Sequence, residues 1–88
     1  MAASDPPPDL TVRVRLFAGL REAMGWAEQR LTAAAGTTPT ALWRQLDPTA
    51  DGSLPAGVRV AINQQFADPG TPLADGDELA FLPPISGG

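Results

Sequence analysis

Leu10-Thr11-Val12-Arg13-Val14-Arg15-Leu16-Phe17, near one end of the chain, and Glu78-Leu79-Ala80-Phe81-Leu82, near the other, decide the fold. In the first stretch Val12, Val14 and Leu16 alternate with Arg13, Arg15 and Phe17, the period of two that marks a half-buried strand. In the second, Leu79 and Phe81 share a face and Leu82 takes the other. The chain therefore opens and closes its ordered part with a strand.

Between these ends, Ala18 to Gly25 reads as a short helix, with Leu20, Ala23 and Met24 on one face and Gly25 as its stop. Trp26 to Thr32 is a weaker strand, because Ala27 and Glu28 are poor strand formers. Thr38 before Pro39 starts a second helix, the threonine as N-cap and the proline at the first helical position. Ala41, Leu42, Gln45 and Leu46 carry it to Asp47-Pro48. Thr49 to Gly57 is a polar loop. Val58 to Asn63 alternates again as a central strand, Gln64-Gln65 reads as a turn, and a brief extended piece comes next around Phe66. Pro72-Leu73-Ala74-Asp75-Gly76-Asp77 carries turn chemistry, with Gly76 able to supply a positive φ. The order is β-α-β-α-β-(β)-β, an α+β pattern with helices on one face of a mixed sheet. The first strand beside the last, both inside the sheet, gives a β-grasp, ubiquitin-like roll spanning residues 10–82, with a Pro-rich disordered arm at 1–9 and a flexible tail at 83–88.

Composition narrows what the domain does. Hydrophobic residues make up 43% of 88, enough for one core at a length near the lower end for a single domain. There is no cysteine, hence no disulfide, thiolate nucleophile or cysteine metal site. There is no histidine either, which removes the commonest general base and zinc ligand. A net charge of −4 argues against nucleic-acid or anionic-membrane partners and favours a partner with a basic surface. No apolar run approaches the roughly 20 residues of a membrane span, and Met1 to Asp9 lacks the pattern of a signal peptide, so a cytoplasmic protein is expected. All six basic residues are arginines, so no lysine amine is present to attack an activated acyl group or to be extended into a chain.

Alternation also leaves bulky residues out of phase with the core. If Val12, Val14 and Leu16 face the helices, Phe17 faces away, and by the same parity so does Leu82. Phe66 comes after a polar turn with no evident core to join. Either these three form an exposed apolar patch of the kind that marks an interface, or Phe17 or Phe66 tucks under the Thr49–Gly57 loop. Arg21, on the turn into the first helix, either pairs with a carboxylate on a partner or is solvated. Asp75, Asp77 and Glu78 either face a basic partner or serve the turn, and lack the ligand number and spacing of a metal site.

The chain ends Phe81-Leu82-Pro83-Pro84-Ile85-Ser86-Gly87-Gly88. Two prolines stop the last strand and hold the remaining residues away from the sheet. Glycines without side chains can thread a channel that any Cβ would block. From Pro83 to Gly88 the extended tail would reach about 20 Å. The terminal carboxylate is a poor electrophile until activated, yet with cysteine and histidine absent it is the best candidate to carry chemistry; otherwise it is a frayed end.

Four segments together resemble the small, sulfur-carrying subunits of molybdopterin synthase, within the wider group of β-grasp carriers that includes the thiamin sulfur carriers. They are Val14-Arg15-Leu16-Phe17-Ala18 with Arg21-Glu22, Val60-Ala61-Ile62-Asn63-Gln64, Pro72 to Phe81, and Pro83-Pro84-Ile85-Ser86-Gly87-Gly88. The resemblance implies that an E1-like activating enzyme uses ATP and Mg to adenylate Gly88, with Gly87 before it, and that a sulfur donor protein converts it to a thiocarboxylate. It implies docking through Phe17, Phe66 and Leu82, with Arg21 and the Pro83, Pro84 and Ile85 tail, on a large subunit in a heterotetramer that transfers the sulfur to a pterin precursor. The chain itself would bind no cofactor. Leu82 departs from the phenylalanine frequent at its position and leaves that contact apolar but smaller. A carrier for thiamin or cysteine synthesis, and a ubiquitin-like protein modifier, are the alternatives the same fold allows.

Overall fold

The computed structural model describes residues 9–48 and 53–84. Ile85, Gly87 and Gly88, and residues 1–8 of the arm, lie outside the described residues. The elements run β1 (Leu10–Leu16), α1 (Ala18–Met24), β2 (Glu28–Ala33), α2 (Pro39–Leu46), β3 (Arg59–Ile62), β4 (Gln65–Ala67) and β5 (Glu78–Leu82). The strands form one sheet in the order β2-β1-β5-β3-β4. β1 and β5 are parallel and every other neighbouring pair is antiparallel. The two strands from opposite ends of the sequence therefore lie side by side inside the sheet, the expected β-grasp arrangement.

The turn before β5 sets that parallel register. Thr11 N–H donates to Asp75 Oδ1 at 2.8 Å, Gly76 N–H to the Thr11 carbonyl at 2.8 Å, and Arg13 N–H to the Asp77 carbonyl at 2.9 Å. Gly76 sits at φ +86°, in the left-handed region that glycine enters without a Cβ penalty. Asp77 Oδ2 accepts from Ala74 N–H and its Oδ1 from Asn63 Nδ2, while Asn63 Oδ1 accepts from Glu78 N–H. Asp75 and Asp77 thus tie the turn down through their side chains.

The inner face carries the core. Leu16, Phe81 and Val60 stand in register across β1, β5 and β3, and Val14, Leu79 and Ile62 form the next row. Pro39, Leu42 and Trp43 of α2 close over them, Trp43 meeting Phe81 at 5.0 Å between ring centroids with the planes tilted by 59°. Ala41 and Gln45 are exposed, so the helix buries a face one step round from the one their spacing suggests. Thr38 caps α2, its Oγ1 accepting from Ala41 N–H. α1 buries no residue fully and packs on the core through Leu20 and Met24, ending at Gly25 with φ +84°.

Two boundaries move. The β3–β4 turn is Asn63-Gln64, both at positive φ as in a type I′ hairpin, so Gln65 belongs to the strand and the turn falls one residue earlier than expected. β2 begins at Glu28 because Trp26 turns partly into the core instead of continuing the ladder.

Candidate functional site

The site grows from the sheet's outer face. Glu28, Arg15, Ala80, Ala61 and Phe66 stand in one row across β2, β1, β5, β3 and β4. The two alanines make a low floor in the middle, 7% and 8% exposed beneath larger neighbours. Phe17 stands at one side of this floor. It comes directly after β1, keeps an extended backbone (φ −125°, ψ 151°) and starts α1, so the strand's parity carries its ring outward. Leu82 closes β5 beside Arg59 of β3. Phe66, at 64% exposure, is the exposed large apolar side chain among the described residues.

These side chains enclose a shallow hollow of about 230 Å³ lined by Arg15, Phe17, Ala61, Phe66, Ala80 and Leu82. Phe17, Phe66 and Leu82 are therefore brought together, and Phe66 stays exposed among the described residues. A second hollow adjoins the first through Phe66 and Leu82 and reaches Gly57, Arg59, Pro83 and Pro84. The apolar surface is thus continuous with the start of the tail. Arg21 is exposed on α1 and lines neither hollow.

Charge frames this surface unevenly. Arg15 lies 3.7 Å from Glu28 and 3.7 Å from Glu78, and its guanidinium sits 5.2 Å from the Phe17 ring centroid. Arg13 reaches Glu28 at 3.9 Å. These pairs are partly solvated and add little stability, but they neutralise Arg15 locally. Among the described residues no cluster of three or more carboxylates forms a cation site.

Ala61, Ala80, Arg59 and Gly57 were not singled out by sequence reasoning. The alternation of β3 and β5 carries the parity of both alanines, but their meeting as one floor depends on which strands pair. Gly57 gave no local signal: its importance is a contact with Pro84, 27 residues away in sequence, where a Cβ would lie 2.9 Å from the proline Cβ.

Comparison with known proteins gives a consistent set. The sequence profile of the ThiS family matches residues 14–88. The molybdopterin synthase sulfur carrier subunit of Escherichia coli (strain K12) is 36% identical over 81 residues, 88% of this chain and 99% of that protein. The crystal structure of the H. volcanii small archaeal modifier protein 1 matches with a TM-score of 0.73 at 28% identity, covering 86% of this chain and 99% of that one. A chain in the complex of subunits 1 and 2 of molybdopterin-converting factor from Helicobacter pylori 26695 matches with a TM-score of 0.55 at 28% identity, over 90% of this chain and all of that one.

Proposed function

Because this chain belongs to the ThiS family, we propose that it is the sulfur carrier subunit of a molybdopterin synthase. The observation that carries the reading is the continuity of the Phe17, Phe66 and Leu82 surface with Pro83 and Pro84. A docking face that runs into the root of a Gly-Gly tail suits a protein that is held by its sheet while its end is worked on elsewhere.

The chemistry balances at the terminus. The Gly88 carboxylate attacks the α-phosphorus of MgATP held by an E1-like enzyme, and pyrophosphate leaves. A sulfur donor supplies a sulfide equivalent to the acyl carbon, AMP leaves, and a thiocarboxylate remains. On the large subunit that sulfur passes to the pterin precursor, and water restores the carboxylate. Gly87 and Gly88 suit a narrow channel because they carry no side chain. Pro83 and Pro84 lower the ordering cost of insertion by fixing φ before docking. With no cysteine in the chain, a persulfide carried on this protein is excluded. ATP and Mg belong to the activating enzyme, and a cycle that consumes ATP fits a cytoplasmic site.

The test is incubation with an adenylating enzyme, MgATP and sulfide, then mass spectrometry of the C-terminal peptide. One oxygen exchanged for sulfur on that peptide is expected; no exchange, or exchange at an internal residue, overturns the reading. The loaded form should then bind the large subunit as a heterotetramer and convert the pterin precursor. The likeness to an archaeal modifier protein supports a second reading, conjugation to other proteins. Isopeptide-linked products in cells, in place of pterin conversion, would favour it, and support of thiazole or cysteine synthesis would favour a carrier for those pathways.

A further inference from the structure

Arg59 is placed on the docking surface with a charge that nothing described answers. It projects from β3 on the same face as Ala61, beside Leu82 across the ladder. Its guanidinium carbon lies 3.9 Å from the Phe66 ring centroid. Stacking of this kind restricts the long side chain and leaves the in-plane N–H fork free for a planar acceptor. Arg15, the other cation over a ring, already has Glu28 and Glu78 beside it. Arg59 has no carboxylate partner among the described residues.

Any protein that covers Phe66 and the Pro83-Pro84 root must also cover Arg59, because all four line one hollow. Removing water from a lone guanidinium is costly unless a hydrogen-bonded counter-charge replaces it. Guanidinium geometry favours a carboxylate, which accepts two parallel N–H bonds. We propose that Arg59 is a specificity-determining residue, pairing with an Asp or Glu that the large subunit presents beside its seat for Phe66. The proposal rests on the docking reading above. It adds a requirement to the partner: an apolar seat flanked by an acid, even though the carrier as a whole is negative.

The competing role is shielding, in which Arg59 only covers the exposed ring. Titrating the cognate large subunit with the wild-type chain, Arg59→Gln and Arg59→Lys across a series of salt concentrations separates the two. Glutamine keeps a planar group over the ring and loses the charge. We expect Arg59→Gln to bind about tenfold more weakly, the scale of one lost interfacial charge pair, with a flatter dependence on salt. Arg59→Lys falls between, and thermal midpoints stay together. Equal affinity and equal salt dependence for wild type and Arg59→Gln overturns the assignment while leaving the carrier reading intact. Failure of the wild-type chain to bind the large subunit at all overturns both.

Discussion

Gly57 and Pro84 approach so closely that glycine is the residue the contact tolerates. Gly57 has φ +81°, and a Cβ there would meet the proline Cβ at 2.9 Å and its Cγ at 3.1 Å. Gly57→Ala should cost roughly 1–2 kcal/mol for the left-handed backbone alone, plus whatever moving Pro84 requires. In a Pro84→Gly background the steric part disappears and the cost should shrink. Urea denaturation of the four proteins reads the difference, and identical costs in both backgrounds would show that the contact does not brace the tail. Phe66 makes the opposite case. Because it is 64% exposed, Phe66→Asp should change stability by less than about 1 kcal/mol, as surface substitutions do. Docking on the large subunit should weaken by on the order of 2 kcal/mol or more if the ring is an interface anchor. Calorimetric titration beside a thermal melt checks both halves.

Among the elements, α2 carries the largest share of helix packing. Its buried face is Pro39, Leu42 and Trp43, with Leu46 half-buried. Trp43→Ala should cost roughly 3–5 kcal/mol, the range for emptying a large aromatic site. Among the described residues, the indole N–H of Trp43 is buried with no hydrogen-bond partner. Trp43→Phe removes that orphaned donor along with some volume, so its cost should stay near roughly 1 kcal/mol. A ratio close to one between the two losses would show that the indole's shape, not the presence of a ring, holds the helix. At the other end of the same element, Thr38→Ala deletes the cap to Ala41 N–H and should cost about 1 kcal/mol. Thermal denaturation of the three variants tests the set.

At the scale of the molecule, the proposed reading separates folding from chemistry. The sheet is locked by β1 against β5, whose partners Val14 and Leu79 are far apart in sequence. Under that reading the transferable group is carried at Gly88, which follows β5 in sequence. Deleting Gly88 should therefore leave the melting temperature unchanged within error while abolishing sulfur loading. A stability loss comparable to that of a core variant would mean the terminus packs on the fold. Continued loading of the truncated chain would remove the terminus from the mechanism.

By itself the sequence determined the order of the elements and the buried faces of the first and last strands, because alternation at Val12, Val14 and Leu16 and at Leu79 and Phe81 comes from strand geometry alone. It also determined the caps at Thr38 and Gly25 and the exclusion of cysteine and histidine chemistry, which are local or compositional facts. Its parity argument placed Phe17 and Leu82 outward for the same reason. Only the tertiary structure decided that these residues and Phe66 share one surface, since that depends on the strand order β2-β1-β5-β3-β4 and its registers. The same holds for Arg59 over Phe66 and for Gly57 against Pro84. The face of α2 slipped because the exposed Ala41 is itself apolar, and only contact with Phe81 distinguishes the helix face turned by Trp43. The Asn63-Gln64 turn escaped a sequence reading because Gln64, unlike asparagine, has no local preference for a positive φ; the hairpin imposes it, with the Asn63 side chain's bonds to Asp77 and Glu78 holding the turn.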